Sequence, residues 1–172
     1  MKGDINMQQV YTSKETSLSQ VPALAKAKEL ATLRWAVNNP LILDYGCGKY
    51  DKTKEYVHNK LKCAYAGYDP YNRSAEENKI AMDTVRNWKG TVIVICANVL
   101  NVIDSDEEVK NVISKVSTIT QFAFFSVYEG KGDGVGRATG KGWQRNERAA
   151  NYSKFFKSAK RKGKIWLTLP EI

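Results

Sequence analysis

Residues 41–51 read Leu-Ile-Leu-Asp-Tyr-Gly-Cys-Gly-Lys-Tyr-Asp, and this stretch decides the fold. Leu41 to Asp44 form a short apolar strand ending in an acid. Gly46 and Gly48 then let the chain turn sharply, with no Cβ to keep a ligand away from the backbone. Twenty-one residues after Gly48 comes Asp69, at the end of a second strand, Cys63 to Tyr68. A third, Thr91-Val-Ile-Val-Ile-Cys96, is apolar and β-branched throughout, as a strand buried on both faces of a parallel sheet should be.

Helices fill the intervals. One is predicted from Thr53 to Leu61. Another starts at the Ser74/Glu77 capping box and reaches Trp88, with Ala81, Val85 and Trp88 on its inner face. Towards the N-terminus, a helix is expected from Pro22 to about Val37, with Leu24, Ala27, Ala31 and Trp35 at helical spacing, until Asn38-Asn39-Pro40 stops it. Towards the C-terminus, Ser105 and Glu108 form a second capping box for a helix to about Val116. An aromatic-rich strand follows from Ile119 to Val127. Residues 128–142 hold six glycines and read as a loop, a candidate lid. A basic helix from Asn146 to Lys160 and a strand from Lys164 to Leu169 end the pattern. Alternating strand and helix predict an α/β fold: a mostly parallel sheet of about five to six strands with helices on both faces. The chain reads as one domain, 1–172, with residues 1–18 loosely ordered.

Composition narrows the setting. No apolar run is long enough for a membrane span, and the polar start is unlike a signal peptide, so a cytoplasmic location is expected (the host cytoplasm if the chain is viral). Cys47, Cys63 and Cys96 lack metal-ligand spacing and read as reduced, mostly buried thiols, and the single histidine, His58, as a polar helix position; no metal site is expected. The net charge of +9 lies wholly in Arg137–Lys164, where ten bases face one acid, Glu147; elsewhere bases and acids balance. That concentration favours a nucleic-acid or other polyanionic partner, whose binding would weaken steeply with salt. The interleaved Tyr152, Phe155, Phe156 and Ala159 share one helical stripe and are expected in the core.

Three signals fall at the carboxyl ends of successive strands, where open α/β sheets bind ligands. They are Asp44-Tyr45-Gly46-Cys47-Gly48, Asp69-Pro70-Tyr71, and Ala97-Asn98-Val99-Leu100-Asn101-Val102-Ile103. Each alone is weak. In this order and spacing they resemble class I S-adenosylmethionine-dependent methyltransferases, with a Rossmann-like fold. Dinucleotide-binding dehydrogenases are the nearest competitor, but their third glycine is replaced here by Asp51, an anion where phosphate would sit. The strings Val21–Leu24, Leu43–Asp51, Tyr68–Glu76, Asn98–Ile103 and Val127–Arg137 are similar to a small methyltransferase family common in bacteriophages, whose acceptor the resemblance does not supply.

The resemblance implies S-adenosylmethionine as cofactor. Asp44, Tyr45, Gly46, Cys47 and Gly48 would hold its methionine part, Asp69 and Pro70 its ribose, and the backbone at Ala97 and Asn98 its amino-acid end. Two departures follow. The usual strand carrying an adenine-contacting acid has no room between Pro70 and Gly90, so the sheet is abbreviated, and Tyr71 is expected to stack on the adenine. The Asn/Asp-Pro-Pro-Tyr/Phe loop of amino-directed DNA methyltransferases is replaced by Asn98-Val-Leu-Asn101. Asn98 and Asn101 are the expected catalytic polar groups, and Tyr128, Arg137, Gln144 and Arg145 the expected substrate contacts. Two rivals stand beside this reading: a small-molecule methyltransferase, and a non-catalytic nucleic-acid or host-protein binding module on the same fold.

Overall fold

The computed structural model describes residues 21–140 and 142–168. The expected loose segment 1–18, Lys141 of the basic segment and Leu169 of the last strand lie outside them. β1 (Leu41–Tyr45) pairs in parallel with β2 (Ala64–Tyr68) on one side and β3 (Val92–Ala97) on the other. Parallel β4 (Ala123–Ser126) lies beyond β3. A separate antiparallel hairpin pairs β5 (Arg137–Thr139) with β6 (Gly142–Gln144). The chain then returns to the main sheet as β7 (Lys160–Lys162) and β8 (Ile165–Thr168), with β8 antiparallel between β4 and β7. The six strands run β2-β1-β3-β4-β8-β7, a mostly parallel sheet of Rossmann-like layout.

The alternation of strand side chains splits the core in two. Leu41, Leu43, Val94 and Phe125 face one layer, made by α3 (Ala75–Asn87), α4 (Asp106–Ile119) and the 3-10 helix Ala149–Phe155. Ile42, Ile93, Ile95 and Phe124 face the other, made by the 3-10 turn Ala23–Lys26, α1 (Lys28–Ala36), and α2 (Lys52–Tyr56) with its π-helical continuation Val57–Leu61. Each buried Leu, Ile or Phe contributes about 1.5–3 kcal/mol by leaving water. The stripe Tyr152, Phe155, Phe156 and Ala159 belongs to the first core, as expected. Among the described residues no helix is long and apolar enough to cross a membrane.

Several expectations need correction. The first helix is broken at Ala27, whose extended backbone separates the 3-10 turn from α1. Trp35 is 64% exposed under the Arg34 guanidinium, and Leu24, Ala25 and Leu30 do the packing. The helix from Ser105 runs through Ile119, so the strand after it begins only at Ala123. Its capping box is half formed: Ser105 Oγ accepts the Glu108 N–H, but the reciprocal bond made by Glu77 to Ser74 has no counterpart. The glycine-rich loop contains the β5–β6 hairpin. The basic helix shrinks to the seven-residue 3-10 helix, because Lys160–Lys162 leaves it to become the sheet's edge strand. Three cations on an edge strand also deter pairing with another chain.

Candidate functional site

After β2 the chain crosses β1 to form β3, so the direction of winding reverses between β1 and β3. The connections after two such strands leave in opposite directions, which opens a crevice outside their carboxyl ends where ligands bind. A cavity of about 700 Å³ occupies this place. It is lined by Asp44–Lys49 after β1, Tyr68–Asn72 after β2, Ala97–Val99 after β3, one face of α4, and Tyr128, Trp143 and Gln144 from beyond β4. A second, more open depression near the starts of β1 and β2 includes Arg34, whose guanidinium is spent on the Leu61 and Lys62 carbonyls.

The wall after β1 is fastened to β2. Gly46 and Cys47 N–H both donate to the Tyr68 carbonyl, and Gly48 N–H donates to Asp69 Oδ2 at 2.9 Å. Gly46 and Gly48 hold positive φ (+90° and +71°). A Cβ on Gly46 would lie 2.3 Å from Val99 Cγ2, so this glycine lets the loop after β1 touch the loop after β3. Arg73 closes the wall. Its Nε donates to the Gly48 carbonyl at 2.8 Å, and its Nη2 pairs with Asp51 at 3.0 Å.

Asp44 is buried at the cavity floor, where its Oδ2 accepts the Tyr65 hydroxyl at 3.0 Å. Burial pushes its carboxyl up to about 7; the charge on Asp69 adds to this, while the Tyr65 bond and Arg73 oppose it. Burial also pushes the Cys47 thiol up to about 12, so it stays protonated and is no nucleophile. Asp69 is buried too, and its carboxylate accepts four N–H bonds: from the backbone of Gly48, Tyr71 and Asn72 and from Asn72 Nδ2. That is about as many as two carboxylate oxygens take. A sugar could be gripped only if one donor, most simply the Asn72 side chain, gave way.

The opposite wall rests on amides. Asn101 Nδ2 donates to Gln144 Oε1 at 3.1 Å, Gln144 Nε2 donates to the Tyr128 carbonyl at 3.0 Å, and Tyr128 N–H donates to Asn101 Oδ1 at 3.2 Å. This closed ring fixes the chain after β4 and the base of β6 to the 3-10 turn Leu100–Val102. Asn101 is therefore buried, does not line the cavity, and is a clamp where a catalytic group was expected. Arg145 and Arg137 are corrected likewise. Arg145 is buried against the Ile103 and Asp104 carbonyls and Asp106, and Arg137 pairs with Asp133; neither lines the cavity.

The other expected residues do line it: Asp44–Gly48, Asp69, Pro70, Tyr71, Ala97, Asn98, Tyr128 and Gln144. Tyr71 is 62% exposed. Asn98 sits in the left-handed region (φ +58°), which asparagine tolerates, and its exposed side-chain amide has no partner among the described residues. Arg73 and Tyr65 escaped the sequence reading, Glu108 entered it only as a helix cap, and the place of Trp143 at this cavity was not foreseen. Arg73 lies in a string already singled out, four residues after Asp69, and its role was within reach; Trp143 carries no motif. Against family models, curated proteins and solved structures alike, the chain matches nothing.

Proposed function

We propose that the chain binds S-adenosylmethionine in this cavity and transfers its methyl group to an acceptor lying against Asn98, Tyr128 and Trp143. The observation that carries the reading is the cavity at the winding reversal, with the Gly46–Gly48 backbone on one side and a buried carboxylate, Asp44, on its floor. The volume lies within the range of small-ligand sites, and the donor set suits the cofactor's parts. Asp44 is the natural partner of an ammonium group, and a cation there would draw its carboxyl into the ionised form. Asp69 meets a ribose on the condition given above. Tyr71, Val99 and Ile103 offer an aromatic and aliphatic surface to a purine.

When bound, the cofactor supplies a methyl group already activated on positively charged sulfur, so the protein's task is to aim a nucleophile and exclude water. Asn98, held at the strand end by its N–H bond to the Ser126 carbonyl, is the polar group best placed to orient that nucleophile. Calorimetry with S-adenosylmethionine and S-adenosylhomocysteine tests the reading; no heat with either overturns it.

The basic segment gives less support to a polyanionic acceptor than its charge suggests. Arg137, Arg145, Lys154, Lys162 and Lys164 pair with Asp133, Asp106, Asp106, Glu29 and Glu129. Five of the nine described bases of the segment are thus paired with four acids outside it, which favours the second reading, a small-molecule acceptor. Labelled cofactor incubated with fractionated extract separates the two: label in RNA or DNA supports the first, label in metabolites the second.

A further inference from the structure

Among the described residues three carboxylates line the cavity: Asp44, Asp69 and Glu108. The first is buried under the Tyr65 hydroxyl, and the second is filled by four N–H donors. Glu108 stands differently. The chain contains two Ser-x-x-Glu helix starts, and in the first, Glu77 Oε2 turns back to accept the Ser74 N–H at 2.7 Å. In the second, Ser105 Oγ still accepts the Glu108 N–H, but the Glu108 carboxylate does not return to Ser105. Its one hydrogen bond among the described residues is to Asn111 Nδ2, on Oε1, and it lines the cavity. Val112, one turn further along the same face of α4, lines it too, as do Val99 and Ile103 from the chain leading into α4. An anionic acceptor thus stands beside an apolar surface, across a cavity that Tyr71 also lines.

We infer that Glu108 is the adenine-selecting residue of this site: its free oxygen accepts a hydrogen bond from the exocyclic amine of a purine resting on Val99, Ile103 and Tyr71. The inference rests on the cofactor reading above. It assigns to α4 the acidic contact for which the abbreviated sheet has no strand, since β2 is the sheet edge and α3 alone fills the interval to β3.

The test is a cycle of two ligands and three proteins, read by calorimetric affinity. The ligands are S-adenosylhomocysteine and its analogue with hydrogen in place of the 6-amino group. The proteins are wild type, Glu108→Ala and, as a control, Glu107→Gln, which changes an exposed neighbour outside the cavity. Wild type and Glu107→Gln should lose about tenfold in affinity when the amine is removed, as for one charge-assisted hydrogen bond partly open to water. Glu108→Ala should bind S-adenosylhomocysteine about tenfold more weakly and lose almost nothing further with the analogue. Glu108→Gln, which keeps an acceptor oxygen, should fall between. Unchanged melting temperatures establish that each variant folds. Equal discrimination in wild type and Glu108→Ala overturns the assignment while leaving the cofactor reading intact. Absence of S-adenosylhomocysteine binding to wild type overturns both.

Discussion

The two walls of the cavity do the same job by different means. The wall after β1 and β2 is made of residues that stand together in sequence, Asp44–Gly48 and Asp69–Arg73, joined mainly through backbone N–H and carbonyl groups. The wall beyond β4 is held by three side-chain amides: Asn101 and Gln144, which join across 43 positions, and Asn146, which reaches back 15 to Lys131. In the first wall the backbone conformation is the device, so Gly46 cannot take a side chain without strain. In the second the device is a set of polar partners, each replaceable by any pair that satisfies the same buried groups. A wall of the first kind leaves a motif in the sequence and one of the second kind does not.

If the first wall depends on backbone conformation, its weakest point is Gly46. Gly46→Ala forces a side chain onto φ +90° and a methyl group to 2.3 Å from Val99 Cγ2. A left-handed conformation costs roughly 1–2 kcal/mol and overpacking roughly 1–3, so a loss of about 2–5 kcal/mol is expected in urea unfolding. Adding Val99→Ala should recover the packing share and leave the backbone share. Full recovery in the double variant would show that φ costs nothing here, removing the distinction between the walls.

The next effect is electrostatic and concerns the same wall. Because burial raises the Asp44 carboxyl from 3.8 to about 7, the folded chain keeps a proton that the unfolded chain releases between those values. Stability therefore falls as pH rises from about 4 to about 7 and levels off above it, by an amount on the order of 3–4 kcal/mol. Asp44→Asn keeps an oxygen for the Tyr65 hydroxyl and removes the slope. Its melting temperature should exceed wild type's increasingly from pH 4 to pH 7. Binding should move the other way: affinity for a ligand ammonium rises through pH 7 in wild type and is weak and flat in Asp44→Asn. Parallel melting curves for the two proteins would place the titration elsewhere.

The sheet was legible because its signals are local. Apolar runs such as Thr91–Cys96 can only be buried, and the Ser74/Glu77 box satisfies its own helix end. The strand-end pattern Asp44, Gly46, Gly48, Asp69 marks the cavity in the sequence, and all four residues line it. In the C-terminal third the last strand and the buried aromatic stripe were legible, and the rest was misread because its structure is decided by distant partners. Lys160–Lys162 has the composition of an exposed helix face, yet it pairs with Ile165–Thr168, which is fixed in turn by β4. Arg145 has the look of a substrate contact, yet the Ile103 and Asp104 carbonyls, 42 and 41 positions away, need a donor. The six glycines suggested a free lid, whereas the base of the segment is pinned to residues that carry no motif.

Asn146 is the sharpest case of such pinning and gives the smallest expected effect. Buried at φ +55°, it accepts the Lys131 N–H on Oδ1 at 3.1 Å and donates from Nδ2 to the Val135 carbonyl at 2.8 Å, while its own carbonyl accepts the Gly134 N–H. Gly130 packs so closely on it that a Cβ there would lie 2.1 Å from Oδ1. The glycines of this loop thus let the chain wrap around one amide, which holds it against the cavity. Asn146→Ala leaves the Lys131 N–H without its acceptor, takes one of two donors from the Val135 carbonyl (Arg137 Nη1 is the other) and puts alanine in a left-handed conformation, a loss of about 2–3 kcal/mol. Asn146→Gly removes the same bonds but relieves the backbone, so it should lose less than alanine. Since the amide holds the loop and not the sheet, limited proteolysis should show both variants cut between Glu129 and Gly142 well before the sheet melts. Cleavage no faster than in wild type would mean that the Asn101–Gln144 ring holds this wall alone.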